Sequence, residues 1–243
     1  MSTASLIDDH IAVELRGATA LFTTRRGGFS TGPYESLNLG RFTDDDPDAV
    51  SRNRARIQDE LGVRFAYGRQ VHGRGVIVHH DRPPEDGHVA PDSDGQATTL
   101  AGVAPMVLTA DCLPVALAGD GAVAMLHAGW RGLAAEIIAE GVRALRELGA
   151  QGPLSAAIGP GAGRCCYEVS DDVRHTFAAY GPAVRHGRNL DLKGIARMQL
   201  RAAGITEVTD VEMCTICSDP SLFFSHRRDH GVTGRQAGTV WSN

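Results

Sequence analysis

The chain has no apolar run near the roughly 20 uninterrupted residues needed to cross a bilayer, and its N-terminus lacks the apolar core of a secretory signal. Excess positive charge is missing too. Lys and Arg number 24 against 29 Asp and Glu, a formal charge of −5, so there is no broad basic field for nucleic acid or an anionic membrane. Repeats, low-complexity tracts and linkers are absent. Cysteine is sparse and odd in number, five among 243 residues, which argues for reduced thiols rather than a disulfide framework. These absences lead us to expect a soluble cytoplasmic protein that binds neither nucleic acid nor membrane; a monomer is expected. What is present is enough apolar residue, 42%, to bury one large core. A single domain over residues 1–243 is expected, with 1–10 flexible.

The most informative stretch runs from Met106 to Gly132. Two apolar runs, Leu113–Ala118 and Ala122–Leu126, flank Gly119-Asp120-Gly121, a tight-hairpin signal. With Gly119-Asp120 as the two-residue loop, facing positions sum to 239 and Cys112 lies opposite His127. With Asp120-Gly121 the register moves by two, and both side chains keep the same face because the strand period is two. A thiol and an imidazole converge in either register. Such a pair serves as an activated nucleophile, as two of the ligands zinc prefers, or as a buried free cysteine beside a structural histidine. The setting favours chemistry: Asp111 precedes the cysteine, and Ala128-Gly129-Trp130-Arg131-Gly132 follows the histidine, with glycines that leave backbone open to a ligand.

Elsewhere, residues 18–24 read as a strand entering the turn Arg25-Arg26-Gly27-Gly28-Phe29-Ser30, a solvated hairpin turn before it is an anion site. Asp46 as N-cap, Pro47 at the first helical position and Gly62 as terminator define a helix. Asp44-Asp45-Asp46 is its entry rather than a metal cluster, and its arginines at 52, 54 and 56 read as a solvated face. Two short strands lie within 65–80 around Gln70-Val71-His72-Gly73, where His72 taken alone reads as structural or exposed. A loop from Pro83-Pro84 to Asp94-Gly95 precedes a strand over Val103–Leu108. The stripe Leu133, Ile137, Ile138, Val142, Leu145 and Leu148, stopped by Gly149, predicts one helix over about 133–148. Ser155–Ile158 reads as a short buried strand, Ser170 as the cap of a helix reaching Tyr180, and Asp191 as the start of a helix closed by Gly204. Glu207–Met213 and Gly234–Trp241 read as strands, and the irregular interleaving favours a mixed α/β (α+β) domain. The four remaining cysteines form two local pairs, Cys165-Cys166 and Cys214-Thr215-Ile216-Cys217. Because one pair is adjacent rather than spaced, packing or a site wall is expected ahead of a four-cysteine zinc site.

Taken in order, Thr24–Ser30, Tyr34–Gly40, Asn53-Arg54, Gln70–Gly73, Ala110–Val115, His127–Gly132, Cys165–Val169, Phe223–Asp229 and Thr233–Gly238 resemble the motifs of the YfiH family. These are purine nucleoside phosphorylases once described as laccase-like polyphenol oxidases and also linked to peptidoglycan editing. The resemblance implies a single layered, mixed-sheet α/β domain and a Zn²⁺ held by His72, Cys112 and His127. Three protein ligands leave the fourth position open, the pattern of a catalytic zinc, and copper is the alternative metal because it binds such a set more tightly. Each imidazole then needs an acceptor on its other nitrogen, with Asp111 or a backbone carbonyl as candidates. The implied activities are phosphorolysis of adenosine, inosine, guanosine and methylthioadenosine, and deamination of adenosine by metal-activated water. Arg25 and Arg131 are expected to clamp phosphate, with Asn38 and His226 on ribose or base. Two segments depart from the family pattern, Arg41-Phe42-Thr43 and Gly159–Gly163, and both are candidate pocket walls.

Three rival readings remain. A multicopper oxidase builds its trinuclear cluster from His-x-His pairs, and none of the ten histidines has that spacing. A cysteine hydrolase or amidase acting on peptidoglycan precursors would use Cys112 as nucleophile and His127 as base, and would not depend on metal. A purely binding role would fit a domain that had lost its ligands, but all three are present.

Overall fold

The computed structural model describes residues 4–7, 9–84 and 91–243. Residues 1–3 and 8 of the N-terminal stretch, and 85–90 of the expected loop, lie outside the described residues. Among the described residues, two six-stranded sheets carry the architecture. The first runs β1 (Ala4–Ile7), β2 (His10–Leu15), β3 (Ala18–Phe22), β14 (Gln236–Ser242), β7 (Val103–Thr109), β4 (Arg64–Ala66). The second runs β13 (Glu207–Asp210), β10 (Ser155–Ile158), β8 (Leu113–Gly119), β9 (Ala122–Ala128), β6 (Gly95–Thr98), β5 (Val76–His79). A two-stranded ribbon, β11 (Arg185–His186) and β12 (Asn189–Leu190), stands apart. Both large sheets mix parallel and antiparallel pairs, in line with the mixed class expected. Within the N-terminal stretch, Ala4–Ile7 pairs antiparallel with β2 at the edge of the first sheet.

The apolar clusters show how the layers stack. One cluster joins Val13, Ala20, Phe22, Val107 and Val240 of the first sheet to Ala116, Val123, Met125 and Ala157 of the second, so the sheets pack face to face. A second lies on the other face of the second sheet, where Leu113, Val115, Leu117 and Leu126 meet Ile137, Ile138 and Leu145 of α3 (Ile137–Glu147) and Ile195 and Leu200 of α5 (Leu192–Ala202). A third backs the first sheet with Ile57 of α1 (Pro47–Leu61) and Leu37 and Leu39 of the preceding loop. The order is thus helix, sheet, sheet, helices. Strands buried on both faces need apolar residues at every position, which is why β8 and β9 read as continuous runs. Each fully buried Leu or Ile contributes about 1.5–3 kcal/mol.

The helix ends follow local chemistry. Asp46 accepts from the Asp48 amide 3.0 Å away and Gly62 closes α1 in the left-handed region at φ 65°, both as the sequence predicts. Of its arginines, Arg52 and Arg56 are exposed as expected, but Arg54 is not. Arg54 is 1% exposed, donates to the Leu39 carbonyl and stacks on Tyr67, while Arg52 stacks on Phe29 and Arg56 donates to the Gly27 carbonyl. With Asn53, which accepts from the Phe29 amide and donates to Ser30 and the Asn38 carbonyl, they clasp the 25–40 loop onto α1. The predicted helix over 133–148 is two helices, α2 (Trp130–Ala134) and α3, because Glu136 turns left-handed at φ 63° between them. The helix after Ser170 is short, α4 (Asp171–Thr176), and its extension to Tyr180 is a separate 3-10 turn. No helix among the described residues is long and apolar enough to cross a membrane.

Candidate metal centre

The β8–β9 hairpin turns at Asp120-Gly121, with φ of 50° and 77°, the left-handed pair a type I′ turn needs. Gly119 pairs with Ala122 and Pro114 with His127, so the register is the second of the two expected. Cys112 then lies just beyond the strand, beside Gly129. A Cβ on Gly129 would sit 2.8 Å from the Cys112 sulfur, so only glycine leaves room for the thiol. By strand parity, Cys112 and His127 share the face that carries Ala116 and Met125, looking between the two sheets.

His72 arrives from the loop between β4 and β5, and its ring meets that of His127 edge-on at 4.8 Å. The ligand atoms of His72, Cys112 and His127 all lie within 4.8 Å of one another. One carboxylate assembles them. Asp94, fully buried ahead of β6, accepts from the amides of Val71 (3.1 Å), His72 (2.9 Å) and Gly73 (2.7 Å) and from His127 Nδ1 (2.8 Å). Burial pushes the Asp94 carboxyl up, but His127 and these amides hold it below its ordinary range. An ionised carboxylate only accepts, so His127 Nδ1 carries the proton and Nε2 is left for the centre.

Asp111, expected as a histidine partner, does another job. It sits at φ 99° between β7 and β8, with Oδ1 accepting from Thr215 Oγ1 and Oδ2 from the Arg227 amide, each at 2.7 Å, while its carbonyl takes the Ala162 amide. These bonds fix the bend that aims Cys112. Asp94 was not legible because nothing in Ser93-Asp94-Gly95 separates an outer carboxylate from a loop residue; the need for an acceptor was visible, its identity was not.

Charge in the centre is coupled. Burial opposes ionisation of Cys112, yet the charge and hydrogen bond of His127, with those of His72, bring the thiol down to about 6. Burial likewise opposes protonation of His127, and the Cys112 thiolate with Asp94 raises it to about 9. Without metal, the pair is a thiolate and an imidazolium between those values.

His72, Cys112 and His127 line a cavity of about 1120 Å³. Its walls combine the aromatic faces of Phe42, Tyr67, Trp130 and Tyr167 with the guanidinium groups of Arg41, Arg69, Arg131, Arg227 and Arg235. Arg131 and His226, both expected at the site, line it. Arg131 stacks on Trp130 with 4.5 Å to the ring centre and has no carboxylate partner among the described residues. The other two expected contacts, Arg25 and Asn38, are not among the residues that line the cavity. Arg25 donates to the Glu35 and Pro220 carbonyls and stacks on Phe224. Asn38 is fully buried, donating to Thr43 and Asp45 and accepting from the Gly40 and Arg235 amides. Both belong to the loop framework. Arg227, next to His226, and Arg235, in the Thr233–Gly238 motif, line the cavity without having been expected there, because neither carries a spacing signal.

A family model described as multi-copper polyphenol oxidoreductase laccase matches residues 19–243. The chain belongs to this, the YfiH family. A Streptomyces coelicolor protein named purine nucleoside phosphorylase is 41% identical over 238 residues, 93% of this chain and 96% of that one. A Corynebacterium glutamicum protein with the same name is 37% identical, covering 93% of this chain and 95% of its own length. The crystal structure of YlmD from Geobacillus stearothermophilus superposes with a TM-score of 0.88 at 34% identity, over 100% of both chains. YfiH membership agrees with the resemblance seen in the sequence.

Proposed function

We propose that the chain is a zinc-dependent purine nucleoside phosphorylase acting on adenosine, inosine, guanosine and methylthioadenosine, with adenosine deamination at the same centre. The observation that carries this reading is the convergence of His72, Cys112 and His127 on the wall of a cavity rich in aromatic faces and guanidinium groups. One thiolate and two imidazoles fit zinc, and the outer carboxylate that orients His127 is in place. Bound zinc supplies a Lewis acid and lowers the pKa of a water ligand toward neutrality.

The chain's own residues account for the rest. Trp130 and Tyr167 offer faces on which a purine can stack, and Arg131, unpaired by any described carboxylate, is the guanidinium best placed to hold phosphate for attack at the ribose C1′. The Arg227 guanidinium, within 5.3 Å of the Tyr167 ring, donates to the Glu168 carbonyl and retains further donors. His226 reaches the cavity from the loop beyond Phe223-Phe224 and is assigned to ribose or base. Asp111 is a positioning residue for Cys112.

The test uses one purified sample: metal content, and adenosine turnover with and without phosphate, with bases and nucleosides separated by chromatography. About one zinc at this centre with phosphate-dependent adenine release, both lost in Cys112→Ala, supports the proposal, and inosine formed without phosphate supports deamination. The thiolate–imidazolium pair also suits a cysteine amidase. Nucleosides left intact by zinc-loaded protein, with amide hydrolysis that survives chelation, would establish that second reading instead.

A further inference from the structure

The four cysteines outside the metal centre, expected in packing or a site wall, are for the most part not buried in the core. Cys165 and Cys217 are exposed, Cys166 is half-buried and only Cys214 is buried. Yet all four sulfurs lie within 4.8 Å of one another, with Cys165 and Cys217 at 3.5 Å. The adjacency of Cys165 and Cys166, which counts against a shared site in the sequence, is no obstacle because both lie in the tight turn after Gly163, whose carbonyl accepts from the Cys166 and Tyr167 amides. Four sulfurs at the corners of a tetrahedron with metal–sulfur bonds of about 2.3 Å are about 3.8 Å apart. The cluster is near that size before any ion is considered.

We propose that Cys165, Cys166, Cys214 and Cys217 form a second metal site, a tetrathiolate site for one zinc ion that clips two loops of the cavity wall together.

The backbone around Cys214 is arranged for a thiolate. Its sulfur accepts from the Gly163 amide at 3.3 Å. Burial pushes this thiol up, but the amides of Cys217, Gly163 and Ile216 hold it below its ordinary value. Amides from the two and three residues following the first cysteine, together with one from the opposite loop, turn their N–H groups toward a single sulfur and stabilise negative charge there. The other thiols crowd around it, and the burial and neighbouring sulfurs that raise Cys165 and Cys166 disfavour further negative charge. A divalent cation removes that conflict: each thiol gives its proton to solvent as its sulfur binds, and nothing is oxidised or reduced. Sulfur-only donors select zinc over magnesium and calcium.

The clip has a mechanical consequence. Gly161 and Cys214 form a bridge, with the Thr215 amide donating to the Gly161 carbonyl. One loop carries Tyr167, a cavity wall, and the other carries Thr215, whose hydroxyl holds Asp111 beside Cys112. A metal joining the two would fix the wall and the Cys112 bend together.

The site is independent of the nucleoside reading, and its test does not use activity. Protein prepared under reducing conditions is titrated with Co²⁺, and zinc is measured in wild type, Cys112→Ala and Cys217→Ser. The expected result is about two zinc ions per chain in wild type and one in each variant. The thiolate-to-cobalt charge-transfer band should keep most of its intensity in Cys112→Ala, because the second site supplies four thiolates and the first only one. Should Cys217→Ser fail to fold, the cobalt spectrum of Cys112→Ala alone decides. Reduced wild type saturating at one metal, with all cobalt–thiolate absorption lost in Cys112→Ala, would overturn the proposal. So would a Cys165–Cys217 disulfide in the reduced, metal-saturated protein, found by mass mapping.

Discussion

Replacing Asp94 by Asn removes one charge and keeps the shape, and the effect can be worked from its four hydrogen bonds. The two carboxylate oxygens accept from three successive backbone amides and from His127 Nδ1. An amide presents one oxygen and one NH₂, so whichever way it lies, two of those four donors face another donor. At about 1–3 kcal/mol for each buried group left without a partner, Asp94→Asn should cost about 2–6 kcal/mol of folding stability. The metal effect follows from the tautomer. With NH₂ toward His127, Nδ1 becomes the acceptor and Nε2 takes the proton, which blocks ligation; with NH₂ toward Val71 and Gly73, the loop carrying His72 loses its anchor. Loss of such outer support lowers metal affinity about 10–100-fold, or about 1.4–2.7 kcal/mol. Urea unfolding of the stripped protein measures the first effect, and competition with a chromophoric chelator the second. A variant whose zinc affinity and unfolding midpoint both match wild type would refute the assignment of Asp94 as organiser of the centre.

Gly129→Ala should abolish zinc retention at the first centre while the protein stays folded, because the new Cβ would stand 2.8 Å from the Cys112 sulfur; full metal content in that variant would show that the thiol can move aside. Arg54→Met should destabilise by about 2–5 kcal/mol in denaturant unfolding, from the lost charged hydrogen bond to the Leu39 carbonyl and the lost stacking on Tyr67. A solvated arginine would change stability by no more than about 0.5 kcal/mol. Zinc loading of the first centre alone, in stripped Cys217→Ser at about pH 7.5, should release about one proton per chain from His127, since Cys112, at about 6, is already ionised there and His127, at about 9, is still protonated. Release should fade as loading is repeated above the His127 value, and pH-indicator titration that finds none near neutrality would contradict the ion pair.

What could be seen in the sequence was whatever depends on near neighbours. The capping residues around α1 and the Asp120-Gly121 turn each act through backbone a few residues away, so their chemistry is written locally. The hairpin carried the site for the same reason: a strand period of two puts Cys112 and His127 on one face in either register. Errors arose where a distant element decided the outcome. Arg54 stands on a helix face that its own spacing leaves open to solvent, and becomes buried only because Leu39 and Tyr67 fold over it. Asn38 and Arg25 sit in polar loops, and their hydrogen bonds go to groups that folding brings in: carbonyls for Arg25, and a hydroxyl, a carboxylate and backbone amides for Asn38. The four outer cysteines are the sharpest case. Local spacing separates Cys165-Cys166 from Cys214 by 48 residues, and only the bridge between Gly161 and Cys214 makes one cluster of them. Asp94 follows the same logic at the first centre, reaching His72 and His127 across 22 and 33 positions. Both clusters join a short local motif to a residue or loop far along the chain, so the ligand types can be read from sequence while the contacts that make them one site come from the packing of the two sheets and their loops.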